Sequence, residues 1–240
     1  MPLEHDHSAA AIAARLARGP RISYLRDWIY GGIDGAITTF AIVAGSVGAN
    51  LSARVVLILG VANLIADGFS MAAANYSGTK AEHDDYRRLK AMEERHIDKV
   101  PDGEREEIRQ IFRGKGYDGA ELEQMTELIT SRRAVWVETM LAEEHGVSGG
   151  LRDPLRAALA TFSAFVLCGA VPLVPFLAGL EASATAAVVA TGAVFFAIGS
   201  AKSIWSTQGW LRSGAETLAI GLGAAALAWA IGFFLERLLT

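Results

Sequence analysis

Two groups of side chains in this 240-residue sequence have the types and spacings that bind cations. In the first, Glu93 and His96 stand three residues apart, Glu104 and Glu107 repeat that interval, and Met140 and Glu144 stand four apart. On helices each pair shares a face, because residues i, i+3 and i+4 lie one above another. Carboxylate oxygen, imidazole nitrogen and thioether sulfur together suit a first-row transition metal better than calcium or magnesium, which prefer oxygen alone. The plain alternative is a solvated acidic bundle whose carboxylates pair with Arg87, Arg88, Arg95, Arg105 and Arg109, and spacing by itself favours that alternative. Glu106, Glu121, Glu123, Glu127 and Glu143 are neighbouring acids with no comparable placement.

The second group lies in apolar surroundings. Asp34 sits in Gly31-Gly32-Ile33-Asp34-Gly35 with Thr38 one turn further on, and Asn63, Asp67 and Met71 follow at intervals of four. An ionisable side chain inside a membrane span is expensive and marks a functional site by default. These residues therefore line a candidate ion path. The plainer roles are helix packing or an interfacial position for Asp34, and a gap-filling apolar residue for Met71 taken singly. Glycines at 31, 32, 35, 45 and 48 would let helices approach closely.

The elements that must hold these residues are legible from charge. Residues 157–180, 182–201 and 217–235 carry no charge, 28–53 carry only Asp34, and 55–79 carry only Asp67. Each run is long enough to cross a bilayer as a helix, and a helix satisfies its backbone where lipid offers no partners. The expected fold is an all-α integral membrane protein of five transmembrane helices, with a cytoplasmic helical metal-binding domain inserted between the second and third. The expected divisions are a cytoplasmic N-terminal tail (1–27), spans one and two (28–79), the inserted domain (80–153) and spans three to five (154–240). Within the insert, span two continues to about Ile97, Pro101-Asp102-Gly103 breaks it, and helices follow over 104–112, from Asp118 as N-cap to 129, and over 132–144. At about 75 residues the insert is small for an independent core. The first span is too long, and lies too far along the chain, to read as a secretory signal.

Arg15, Arg18, Arg21 and Arg26 precede span one, Lys202 and Arg212 lie between spans four and five, and the two opposite turns hold only Arg54 and no base, respectively. By the positive-inside rule, the N-terminus, 80–153 and the 202–213 turn are cytoplasmic.

Composition agrees with two separate materials. The chain is 52% hydrophobic and 20% charged, with a mean hydropathy of +0.30. Eighteen of its 26 acids and 13 of its 22 bases fall within 80–153, so that block carries a net charge of −5 against −4 for the whole chain. An evenly charged globular domain, a disordered chain and a disulfide scaffold are all excluded; Cys168 has no partner cysteine. No phosphate-binding loop, Ser-His-Asp set or zinc-finger spacing occurs, which argues against an ATP-driven pump, and no nucleic-acid partner is expected. Glu4-His5-Asp6-His7 reads as a mobile terminus rather than a metal site, and Lys202 as a snorkelling residue or the holder of a charge partner near the path. Glu93-x-x-His96 by itself is half of a ferritin-like di-iron site. A membrane-anchored iron-binding or ferroxidase protein is thus a second reading, weakened by the lack of a second Glu-x-x-His.

At these residues the sequence resembles the vacuolar iron transporter family, from about Tyr24 onward. The resemblance rests on Tyr30-Gly31-Gly32-Ile33-Asp34-Gly35 with Thr38-Thr39, on Ala62-Asn63-Leu64-Ile65-Ala66-Asp67-Gly68-Phe69-Ser70-Met71, on Val100-Pro101-Asp102 before Glu104, on Trp136 to Glu144, and on Leu167 through Pro175. It implies a homodimer of five-span subunits that moves Fe(II), and often Mn(II) or another divalent metal, out of the cytosol in exchange for protons. It also implies a pore between the first spans of the two subunits and a cytoplasmic collector domain. Asp34 and Met71 match pore ligands; Glu93, Glu104, Glu107, Met140 and Glu144 match collector ligands. Asn63 replaces a glutamate found in some members, with Asp67 one turn away to take over its protons. His96 replaces a carboxylate, and Leu141 replaces a second methionine.

The expected partners are divalent metal ions, protons, the lipid bilayer and a second copy of the chain. No permanently bound cofactor is expected, only transported or regulatory Fe(II), Mn(II) or Zn(II). Export of Mn(II) or Zn(II) on the same scaffold is a further alternative, and a channel would share every residue named. The membrane is the cell membrane in a bacterium and the vacuole in a eukaryote.

Overall fold

The structure, a computed structural model, describes residues 6–17, 19 and 22–239. Glu4, His5, Arg18 and Arg21 lie outside the described residues. Within them all regular structure is helical. Five helices are long and apolar enough to cross a membrane: Leu25–Gly48, Ala53–Lys99, Pro154–Leu177, Ser183–Lys202 and Trp210–Leu239. The chain is a multi-pass membrane protein.

In chain order the helices are α1 (Ala9–Ala17), α2 (Leu25–Gly48), α3 (Ala53–Lys99), α4 (Pro101–Gly114), α5 (Gly119–Thr130), α6 (Arg133–Glu143), α7 (Pro154–Ala170), α8 (Val174–Leu177), α9 (Ser183–Lys202) and α10 (Trp210–Leu239). Three local features depart from the sequence reading. The third span is not one smooth helix: a 3-10 turn at Val171–Leu173 separates α7 from α8, because Pro172 and Pro175 lack the N–H that the helical ladder needs. Asp118 stands at the N-cap of α5 in extended backbone, yet its side chain makes no capping hydrogen bond. In the N-terminal tail, Ala9–Ala17 is helical and buries no residue. Where the caps are strong they act as expected. Asp153 accepts from the Arg156 N–H at 2.8 Å with Pro154 at the first position of α7, and Gly146, at φ +67°, follows α6.

Two compact units arise, one from the described residues through Ile22 together with Gly78–Arg152, the other from Ser23–Ser77 with Asp153–Thr240. In the second unit α2 packs against α7, α9 and α10. Glycines set the spacing. A Cβ on Gly31 would stand 2.2 Å from the Thr161 carbonyl oxygen of α7, one on Gly35 2.3 Å from that of Phe165, and one on Gly48 2.3 Å from that of Trp229 on α10. Close backbone approach of this kind replaces hydrophobic driving force between helices in lipid. The core of this unit includes Phe40, Val43, Phe195 and Ile198.

In the first unit, Leu89 and Ile97 of α3, Ile108 of α4, and Trp136, Val137, Met140 and Leu141 of α6 form one buried apolar cluster. The Arg105 guanidinium lies 5.8 Å from the Trp136 ring centroid, a cation–π distance. This packing fixes the faces of α3, α4 and α6 on which the acids sit.

Candidate metal centre

Leu89 and Ile97 anchor α3 in the apolar cluster, and Glu93 lies one turn from each, so the same face that buries them buries Glu93. Glu104 precedes Ile108 by one turn on α4 and is buried for the same reason. Glu93 is 1% exposed and Glu104 2%. A buried charge is costly unless paired or metal-bound. The partners are few: His96 Nδ1 lies 3.3 Å from Glu104 Oε1, and His145 Nε2 lies 2.8 Å from Glu93 Oε1. Oε2 of each carboxylate is buried without a hydrogen-bond partner.

Two overlapping groups result. One ligand atom each from Glu93, His96 and Glu104 lie within 4.8 Å of one another, as do atoms from Glu93, Glu144 and His145. Glu107 is exposed, and its charge acts on the same group. Burial raises the Glu104 carboxyl to about 7, and the Glu107 and Glu93 charges add to the rise. Burial likewise raises Glu107, with Glu144 and Glu93 reinforcing it, while His96 and His145 oppose it. Such clustering of like charges favours either a proton or a cation between them.

The arginines and lysines do not supply that cation among the described residues. Arg109 pairs with Glu106 and Glu123, Arg113 with Glu106, Lys115 with Glu143, and Arg133 with Asp98. Arg87 and Arg88 turn to Asp84 and Asp85. Glu106, Glu123 and Glu143, acids without ligand spacing, thus pair with bases, whereas among the described residues Glu93, Glu104, Glu107 and Glu144 make no ion pair with Lys or Arg. Met140 is fully buried in the apolar cluster, and its carbonyl accepts from the Glu144 and His145 N–H groups. It forms the floor under the end of α6. His145 did not enter the sequence reading. It lies beyond the last residue of α6, where three- and four-residue spacing no longer describes a face; its proximity to Glu144 was the one available signal.

In the second unit Asp34 is half-buried on α2, and Thr38 Oγ1 donates to the Asp34 carbonyl at 2.9 Å rather than to its carboxylate. On α3, Val56, Leu64 and Gly68 face inward while Asp67 is exposed, and Asn63 and Met71 flank the buried stripe. The Asn63 amide nitrogen is buried without a partner. Asp34 and Asp67 are thus both left partly or wholly uncovered. Sequence reading passed over a further polar contact here: the Asn75 amide donates to Asp27 at 3.0 Å and to Thr161 at 2.7 Å, tying α2, α3 and α7 together.

Five spanning helices define a multi-pass membrane protein. Residues 25–233 match the VIT family, and the chain belongs to that family. It is 34% identical to vacuolar iron transporter 1 of Arabidopsis thaliana, over 86% of this chain and 84% of the relative. It is 32% identical to the vacuolar iron transporter of Toxoplasma gondii, over 89% and 74%, and 33% identical to vacuolar iron transporter 2 of Oryza sativa, over 85% of each. The chain is a transporter and not an enzyme, which sets aside the ferroxidase reading.

Proposed function

We propose that the protein exports Fe(II), and on the same ligands Mn(II) or Zn(II), from the cytosol in exchange for protons, working as a homodimer. The relatives named as iron transporters support iron as cargo. The observation that carries the reading is the pair of buried carboxylates, Glu93 and Glu104, which lie against each other with only histidines as basic neighbours among the described residues. In this reading residues 78–152 collect metal on the cytoplasmic side. Asp34, Met71, Asn63 and Asp67 then replace part of the ion's hydration shell in the membrane. Metal and protons compete for the same carboxylates, since an empty carboxylate in low dielectric takes a proton; that competition is the physical basis of exchange. The exposed face of α3, with Ala62, Ile65, Ala66, Asp67 and Phe69, is available for a second copy to cover. The test is Fe(II) uptake into proteoliposomes under an imposed pH gradient, with Mn(II) and Zn(II) as competitors. Asp34→Ala should abolish flux; gradient-dependent flux at the wild-type rate in that variant overturns the reading.

A further inference from the structure

We infer that His145 is a metal ligand, and that with Glu93 and Glu144 it forms a second, nitrogen-containing cation site that shares Glu93 with the site of His96 and Glu104. The inference deepens the collector role proposed above and rests on it. It starts from geometry. With metal–ligand bonds near 2.1 Å, two ligands of one ion are separated by about 3.4 Å at a tetrahedral centre and about 3 Å at an octahedral one. His96 and Glu104 meet at 3.3 Å, and His145 and Glu93 at 2.8 Å. The first separation matches a coordination edge, and the second is a hydrogen-bond contact a few tenths of an ångström short of one.

Glu93 belongs to both three-residue groups. Its Oε1 faces His145, while its Oε2 is buried and unpartnered, so one carboxylate has an oxygen to offer on each side. The Glu104 Oε2 is likewise buried without a partner. The two carboxylates also face each other, and a pair of buried acceptors with no donor between them calls for a proton or a cation. His145 itself is largely buried, and its backbone is held by the Met140 carbonyl; the ring is positioned before any ion arrives.

Chemistry follows from the donor set. Each site offers one imidazole and two carboxylates, which favours borderline ions such as Zn(II), Co(II) and Fe(II) over Mn(II), and strongly over Ca(II) and Mg(II). His145 is then a residue that sets metal preference as well as capacity.

The experiment uses the full-length protein in detergent. Zn(II) and Mn(II) binding is measured by competition with a chromogenic chelator, and the Co(II) complex by its visible absorption. His145→Ala and Glu144→Ala should each remove one ion per chain relative to wild type. His145→Ala should lower Zn(II) affinity by on the order of 100-fold and Mn(II) affinity by less than about tenfold. His145→Gln retains a hydrogen-bond donor for Glu93 without an imidazole nitrogen, and should behave like His145→Ala. Unchanged stoichiometry and an unchanged Zn(II)/Mn(II) ratio in His145→Ala, or full rescue by His145→Gln, overturns the inference. Absence of any Glu93-dependent Zn(II) binding in the wild type instead overturns the collector role itself.

Discussion

His145 Nε2 lies 2.8 Å from Glu93 Oε1, joining the residue just beyond α6 to the middle of α3 across 52 positions of sequence. The contact closes a cluster in which four carboxylates meet two imidazoles with no arginine or lysine pair among the described residues. The following outcomes depend on that imbalance and on the helix packing around it.

Replacing Glu93 by glutamine should raise the thermal stability of the metal-free protein and abolish its stabilisation by Zn(II). The variant removes a buried carboxylate that crowds Glu104 and Glu107 and that only the His145 imidazole faces, a gain of about 1–3 kcal/mol. Differential scanning fluorimetry with and without metal checks both halves. A lower metal-free Tm in Glu93→Gln would mean that the carboxylate is already satisfied.

Metal affinity should fall as pH drops through about 7. Glu104 is raised to about 7 by burial and by Glu107 and Glu93, so below that value a proton must leave before a metal binds. One competing proton lowers apparent affinity about tenfold per pH unit. Stability of the metal-free protein runs the other way. A carboxyl raised in the folded state binds its proton more tightly there than in the unfolded chain. Its protonation therefore supports the fold most fully below the ordinary glutamate value, and that support is lost as pH rises through about 7. Zn(II) titrations and metal-free melts at pH 6, 7 and 8 read both trends; an affinity flat across that range contradicts the assignment.

Glu106→Gln and Glu123→Gln should leave metal binding within about twofold of wild type, since both acids are exposed and held by Arg109. Losses equal to that of Glu104→Gln would restore the alternative of a diffuse acidic surface. The same chelator competition decides it.

Gly35→Ala should destabilise the membrane unit, because the added Cβ would stand 2.3 Å from the Phe165 carbonyl oxygen and force α2 from α7. Overpacking costs about 1–3 kcal/mol. Gly78→Ala is the control: nothing lies within 4 Å of its Cβ position, and alanine should favour α3 by about 0.5–1 kcal/mol. Thermal melts of both variants in detergent test the pair.

The spans were legible because lipid leaves the backbone one economical solution and expels charge, so uncharged runs map onto helices. Their ends were less legible. Pro172 and Pro175 interrupt the third span, and α10 begins at Trp210, before the uncharged run, with Arg212 and Glu216 in its first turns. In the candidate site, Glu93, His96, Glu104 and Glu144 were found by helical spacing, which lays side chains three and four apart on one face. His145 was not, for spacing stops being informative where a helix stops.

The sequence by itself determined the family, the five membrane helices and the acidic insert, since each depends on local composition or on short motifs. Only the tertiary structure decided which acids are buried and which are solvated. Glu93 and Glu106 carry the same carboxylate in the same block. Packing of Leu89, Ile97 and Ile108 turns the first inward, whereas Arg109 holds the second at the surface. Burial and pairing are set by distances between helices remote in sequence, and no spacing along one helix encodes them.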